Sequence, residues 1–148
     1  MTASALLHAQ LLAAVVMTGI IWFVQIVHYP LLATVGPGEF CDYTKRHQVL
    51  ITWIVGPPML VEVAAAGALL ILAPLLLLSP LYVAALVMLF VIWISTAVLQ
   101  VPLHGKLCRS HDVRNIRRLV ATNWIRTVAW TARAVLLGLV GTAPDVLA

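Results

Sequence analysis

Two long stretches of this chain are apolar almost without interruption. Residues 6–27 contain no Asp, Glu, Lys or Arg, and residues 48–103 contain a single one, Glu62. A bilayer core about 30 Å thick takes roughly 20 apolar residues per helix. The second stretch is too long for one crossing. It turns back where Pro74 and Pro80 bracket a run of leucines, two helix breakers around a turn. A last apolar run, 119–140, is interrupted by Arg126 and Arg133. The pattern predicts helices at about 5–29, 47–73, 80–103 and 113–142. The expected fold class is all-α, a four-helix transmembrane bundle forming a single domain over 1–148. A cleavable signal peptide is the alternative for the first run. It lacks a basic leading segment, and no small-residue cleavage site precedes His28-Tyr29-Pro30.

Composition agrees: 63% of the residues are hydrophobic and 9% charged, where a soluble domain is about a quarter charged. That excludes a soluble globular domain, a disordered chain and a DNA-binding module. The basic residues fall unevenly. Lys45 and Arg46 lie in the first loop; Lys106, Arg109, Arg114, Arg117 and Arg118 lie in the third; Arg126 and Arg133 lie inside helix 4. The second loop and both tails have none. The positive-inside rule places loops 1 and 3 in the cytoplasm and both termini on the other side, in a multi-pass protein of the plasma or inner membrane. The net charge of +4 then reflects topology and a partnership with anionic lipid rather than nucleic acid. Cys41 and Cys108 fall in the same two loops, where a reducing cytoplasm disfavours a disulfide. Gly56-Pro57-Pro58 should bend helix 2, with the freed carbonyls turned toward the bundle. Asp112 reads as the N-cap of helix 4. His8 and His111 read as solvated or interfacial.

The remaining polar residues gather at one depth. Gln25, His28 and Tyr29 close helix 1; Tyr43 and His47 stand at i, i+4 at the start of helix 2; Gln100 and His104 stand at i, i+4 at the end of helix 3; Asn123, Trp124 and Arg126 open helix 4. Three histidines on three helices therefore share the cytoplasmic end. Deeper, Glu62 lies about 20 Å from the start of helix 2 and Arg133 about 20 Å below Leu119, at ~1.5 Å per residue. They are expected to meet as a buried ion pair, because a lone charge at that depth is costly; proton carriage by Glu62 is the alternative. Helices 1–2 and 3–4 also share a pattern of His and Pro before a basic loop.

His28, His47 and His104 would suit a non-haem metal ion, or two of them a haem with an arginine on a propionate. Imidazole beside Tyr29, Tyr43, Gln100, Trp124 and Arg126 would equally serve as a cofactor-free base for a phenolic or quinone-like molecule. An interfacial belt of His, Tyr, Trp and Arg is the alternative without chemistry.

Pro102-Leu103-His104 with Leu107, then Leu119, Asn123-Trp124-Ile125-Arg126-Thr127 and Trp130, resemble the second half of the anthrone-oxygenase-like small integral membrane proteins. The likeness runs from residue 95 to 138 and departs at His104, where the family usually has Asn. The resemblance implies a four-helix membrane fold and oxygenation of an activated aromatic carbon without an obvious cofactor. His8, Trp22-Phe23 and Pro30 are similar to the first span of the bacterial haem-binding protoporphyrinogen oxidases. Three functions follow as expectations. One is an oxidoreductase or oxygenase using His28, His47, His104, Asn123 and Arg126 on a lipophilic aromatic or quinone-like molecule. Another is a non-enzymatic haem-, quinone- or lipid-binding subunit of a larger complex. The last is a proton-coupled transporter built on Glu62 and Arg133, which would need a homodimer to enclose a path.

Overall fold

The computed structural model describes residues 2–142 and is helical throughout its main elements. Helix α1 spans Ala3–Leu32, α2 Pro37–Leu72, α3 Pro80–Leu107 and α4 Val113–Thr142. The first three are long and apolar enough to cross a membrane. Trp53 and Ile71 on the outer face of α2, and Leu75 and Leu78 in the turn that follows it, are each at least 75% exposed, while Gln10, Gln25, Glu62, Gln100, Asn123 and Arg133 are buried. An apolar exterior around a polar interior marks a membrane protein.

Three boundaries differ from expectation. Helix α2 starts at Pro37, not near residue 47, because Gly36 is extended, Pro37 occupies the first turn and Glu39 sits at the positive end of the helix dipole. Lys45 and Arg46 are therefore helical surface residues, with Lys45 Nζ 3.6 Å from Asp42, and Tyr43 and His47 sit well inside the helix. Helices α1 and α3 each run past the expected end, α1 to Leu32 and α3 to Leu107. Each carries a single π turn, Val24–His28 in α1 and Thr96–Gln100 in α3, immediately before a proline. Pro30 and Pro102 have no N–H to give the carbonyl four residues back. Widening the turn lets Tyr29 and Val101 donate instead to Val24 and Thr96, so the helix continues without a break.

Helix α2 also continues through Pro57 and Pro58. Pro57 is exposed, as are Trp53 and Ile54, whose carbonyls the two prolines leave without a donor. The proline face is turned away from the bundle, the reverse of the expectation from sequence. The turn between the prolines is a short 3-10 helix, Pro74–Leu78, with Leu76 buried as a plug. Asp112 caps α4: its Oδ1 accepts from the Arg114 N–H at 2.8 Å.

Neighbouring helices are antiparallel, in the order α2, α1, α4, α3. The α1–α2, α1–α4 and α3–α4 contacts are extensive, with buried alanines such as Ala14, Ala66, Ala85 and Ala129 allowing close approach. Helices α2 and α3 barely touch, so that side of the bundle is loose.

The interior is layered. Leu7, Leu69, Leu76, Tyr82 and Leu137 fill one end, Met17, Met59, Ile92 and Trp130 the middle, and Leu32, Phe40, Leu107, Ile116 and Leu119 the end nearest the basic loops. Between the first two apolar layers lies a polar node. Arg133 Nε donates to Glu62 at 3.1 Å, Nη2 to Gln10 Oε1 at 2.7 Å, and Nη1 to the Ala85 carbonyl. Trp130 Nε1 donates to the other Glu62 oxygen at 3.2 Å, and Gln10 donates to the Tyr82 hydroxyl at 3.2 Å. One guanidinium thus ties α4 to each of the other three helices.

Candidate functional site

Between the middle and basic-end apolar layers lies a second polar layer, built on α4. Asn123 is fully buried and donates to Gln25 Oε1 at 2.7 Å. Its own side-chain oxygen accepts twice from Arg126, from Nε at 3.0 Å and from Nη2. Arg126 Nη2 also reaches Gln100 Oε1 at 3.5 Å, to which the Tyr29 hydroxyl donates at the same distance. Gln100 in turn donates to Thr122 Oγ1 at 3.0 Å. The layer is a string of amides centred on one guanidinium. The Arg126 guanidinium carbon lies 6.0 Å from the Trp130 ring centre.

Beside this layer the loose α2–α3 side opens into a cleft of about 180 Å³. Its back wall is α1, from Met17 to Tyr29. Helix α2 contributes His47, Gln48, Ile51 and Val55, and α3 contributes Thr96, Gln100 and His104. Arg126 and Trp130 close it from α4. Thr52 and Val101 line the cleft and are themselves exposed, which puts its mouth on the outer surface between α2 and α3. Toward the basic loops the apolar layer of Leu32, Phe40, Leu103 and Leu107 seals it.

The histidines form a row rather than a chelate. His28 and His47 stack face to face, centroids 3.9 Å apart and planes at 15°, and Tyr43 lies beside the pair, 6.3 Å from His28 and 6.4 Å from His47. His104 lies 6.4 Å from His47. Stacked imidazoles present their nitrogen lone pairs in parallel planes, which do not converge on one ion. Among the described residues no group of three His, Cys, Asp or Glu side chains is arranged to hold a metal ion. His28, His47 and His104 are thus not arranged here as the metal-ligand set expected from the sequence.

The residues expected to form one site therefore divide. Tyr29, His47, Gln100, His104 and Arg126 line the cleft. Asn123 stands behind them as the partner that orients Arg126. His28 lines an adjoining apolar groove between α1 and α2, with Gly19, Phe23 and Leu50, which shares Ile20, Val24, His47 and Ile51 with the cleft. Tyr43 is 39% exposed at the surface end of the row. Trp124 lies on the outer α1–α4 face, edge-on to Trp22 at 5.6 Å. His8 is exposed; His111 is half-buried with its ring edge against Phe40. Gln48, Thr52, Thr96 and Trp130 line the cleft and were not singled out as site residues. Thr52 stands five residues from His47, Thr96 four from Gln100 and Trp130 four from Arg126, which was the available signal; Gln48 directly follows His47. Gln10 and Tyr82 of the deeper node were missed as well; each is an uncharged polar group in an apolar run.

Gln48 links the cleft to its rim. It donates to the His104 carbonyl at 3.0 Å and to Cys108 Sγ at 2.9 Å. Cys41 and Cys108 carry free thiols. Burial pushes the Cys108 thiol up, with the Gln48 hydrogen bond acting against it. A raised thiol stays protonated to higher pH, and only the thiolate is nucleophilic. In a Cys41→Ser background, alkylation of Cys108 by iodoacetamide is expected to lag behind free cysteine at neutral pH and to level off at a higher pH. A rate that levels off below the pH found for free cysteine would contradict that environment.

No family model, curated protein or solved structure matches this chain.

Proposed function

We propose that this is a four-span integral membrane protein that takes a small lipophilic aromatic or quinone-like molecule from the bilayer into the α2–α3 cleft. The observation that carries the reading is the cleft itself. Its walls are apolar, its polar groups converge at one end, and its mouth faces the lipid while the loop end is sealed. Ligand pockets of bundles have this composition, with few polar groups fixing orientation. Helix α4 lies against α1 and α3 along its length and crosses with them. The basic residues near the α1–α2 and α3–α4 loops orient those loops to the cytoplasm.

The chemistry proposed is that of an oxidoreductase or oxygenase, as the likeness to anthrone-oxygenase-like proteins implies. His104 and His47 are the only bases in the cleft among the described residues, and one of them would take a proton from the substrate. Arg126 would stabilise the anion that develops. Glu62 is held by Arg133 and Trp130, which favours a structural ion pair over proton transport. A ligand-binding subunit without chemistry of its own remains the second reading, favoured by the absence of a carboxylate from the cleft lining.

The test uses the full chain in lipid nanodiscs and a decyl-substituted benzoquinone and its hydroquinone. Saturable quenching of tryptophan fluorescence is expected, since Trp130 lines the cleft. Met59→Trp, which fills the floor, should weaken binding at least tenfold. Equal binding by the filled variant would remove the cleft from the account. Turnover unaffected in both His47→Ala and His104→Ala would remove the chemistry and leave the binding subunit.

A further inference from the structure

The two arginines inside the bundle are treated differently. Arg133 is fully buried and neutralised by Glu62 at 3.1 Å. Arg126, two turns nearer the loops on the same helix, has only neutral partners, Asn123 and Gln100. Among the described residues no carboxylate lies within 4.0 Å of it, and none lines the cleft. A charge in an apolar bundle is costly unless paired. The Arg126 guanidinium is held inside the bundle by Asn123 and Gln100, with the Trp130 ring centre 6.0 Å away. The groups around it leave one direction unfilled, the cleft. His104 also lines the cleft, beside Arg126 and Gln100.

We propose that the counter-ion of Arg126 is the ligand, a single-chain lipophile whose head is an oxyanion, a carboxylate or phenolate on at most one ring. This rests on the cleft being the ligand site and deepens that reading by fixing the charge of the molecule. A guanidinium matches the planar oxygens of a carboxylate, and Asn123 holds it in place with two hydrogen bonds. The size of the cleft, about 180 Å³, leaves room for one substituted ring by comparison with the about 150 Å³ that accommodates benzene. The His104 ring would lie beside the head. The apolar tail would leave between Thr52 and Val101.

A matched pair of probes tests the charge: 4-octylbenzoate and 4-octylbenzamide, bound to the full chain in nanodiscs of neutral lipid and read by tryptophan quenching. The benzoate is expected to bind at least tenfold tighter than the amide. Arg126→Gln should abolish that preference by weakening the benzoate while leaving the amide unchanged, and Arg126→Lys should restore part of it. Asn123→Asp serves as a second variant, because it places a carboxylate beside Arg126 and should depress benzoate affinity in a folded protein. Equal affinity for both probes in the wild type would overturn the oxyanion assignment while leaving the cleft as a site for neutral lipophiles. Binding of neither probe, together with no effect of Met59→Trp on any ligand, would overturn the cleft reading itself. Displacement of benzoate by phosphatidylglycerol added to the nanodiscs would assign Arg126 to a phospholipid head group and overturn the single-chain assignment.

Discussion

Arg133→Met is expected to be the most damaging single substitution in the bundle. It strands Glu62 as a buried carboxylate and strips Gln10 and the Ala85 carbonyl of a donor. Removing one partner of a buried ion pair costs about 3–5 kcal/mol, because the remaining charge keeps its desolvation penalty without compensation. The same reasoning predicts recovery. Arg133→Met combined with Glu62→Met leaves no buried charge, and apolar replacements of a buried pair are often neutral or better. The double variant should regain most of the loss, short of the hydrogen bonds to Gln10 and Ala85. Unfolding of wild type, both single variants and the double variant in mixed detergent micelles supplies the cycle. A single Arg133→Met variant within about 1 kcal/mol of wild type would mean that the node does not hold the four helices together.

Asn123→Leu should be the second most damaging change. Asn123 is the one residue that both donates to Gln25 and accepts from Arg126. Leucine leaves an acceptor and a cation without partners, at about 1–3 kcal/mol for each buried group. The expected loss is about 2–4 kcal/mol, below that of Arg133→Met because Arg126 retains Gln100. The same variant should bind an anionic ligand poorly, since Arg126 loses the contacts that orient it. Stability measured beside benzoate affinity separates the two effects. A variant with wild-type stability and wild-type affinity would show that the amide string is incidental.

The depth of each residue was legible in the sequence; its direction was not. Counting from the start of helix 2 and from Leu119 puts Glu62 and Arg133 at one level, and their side chains lie 3.1 Å apart. The break between Pro74 and Pro80 and the Asp112 cap also followed from residue chemistry. What counting leaves open is rotation. His28 and His47 share a level with His104, yet His28 faces the α1–α2 groove and Trp124 the outer α4 surface. The π turns contribute to this, because each inserts a residue and shifts the face presented by the turn that follows. The start of α2 was missed because its first turns carry Glu39, Asp42, Lys45 and Arg46, polar residues that hide a helix from a search for apolar runs. The outward face of Pro57 was missed for a related reason: a proline marks where backbone bonds are lost but not which side of the bundle they face.

The central claim is that the α2–α3 cleft holds a small lipophilic molecule drawn from the membrane. The most direct measurement is native mass spectrometry of the full chain released from its own membranes, beside the Met59→Trp protein prepared identically. A single-chain small molecule bound one to one in the wild type and missing from the filled variant is the predicted result. Wild-type protein carrying no such molecule, or the same molecule retained at full occupancy in Met59→Trp, would contradict the account.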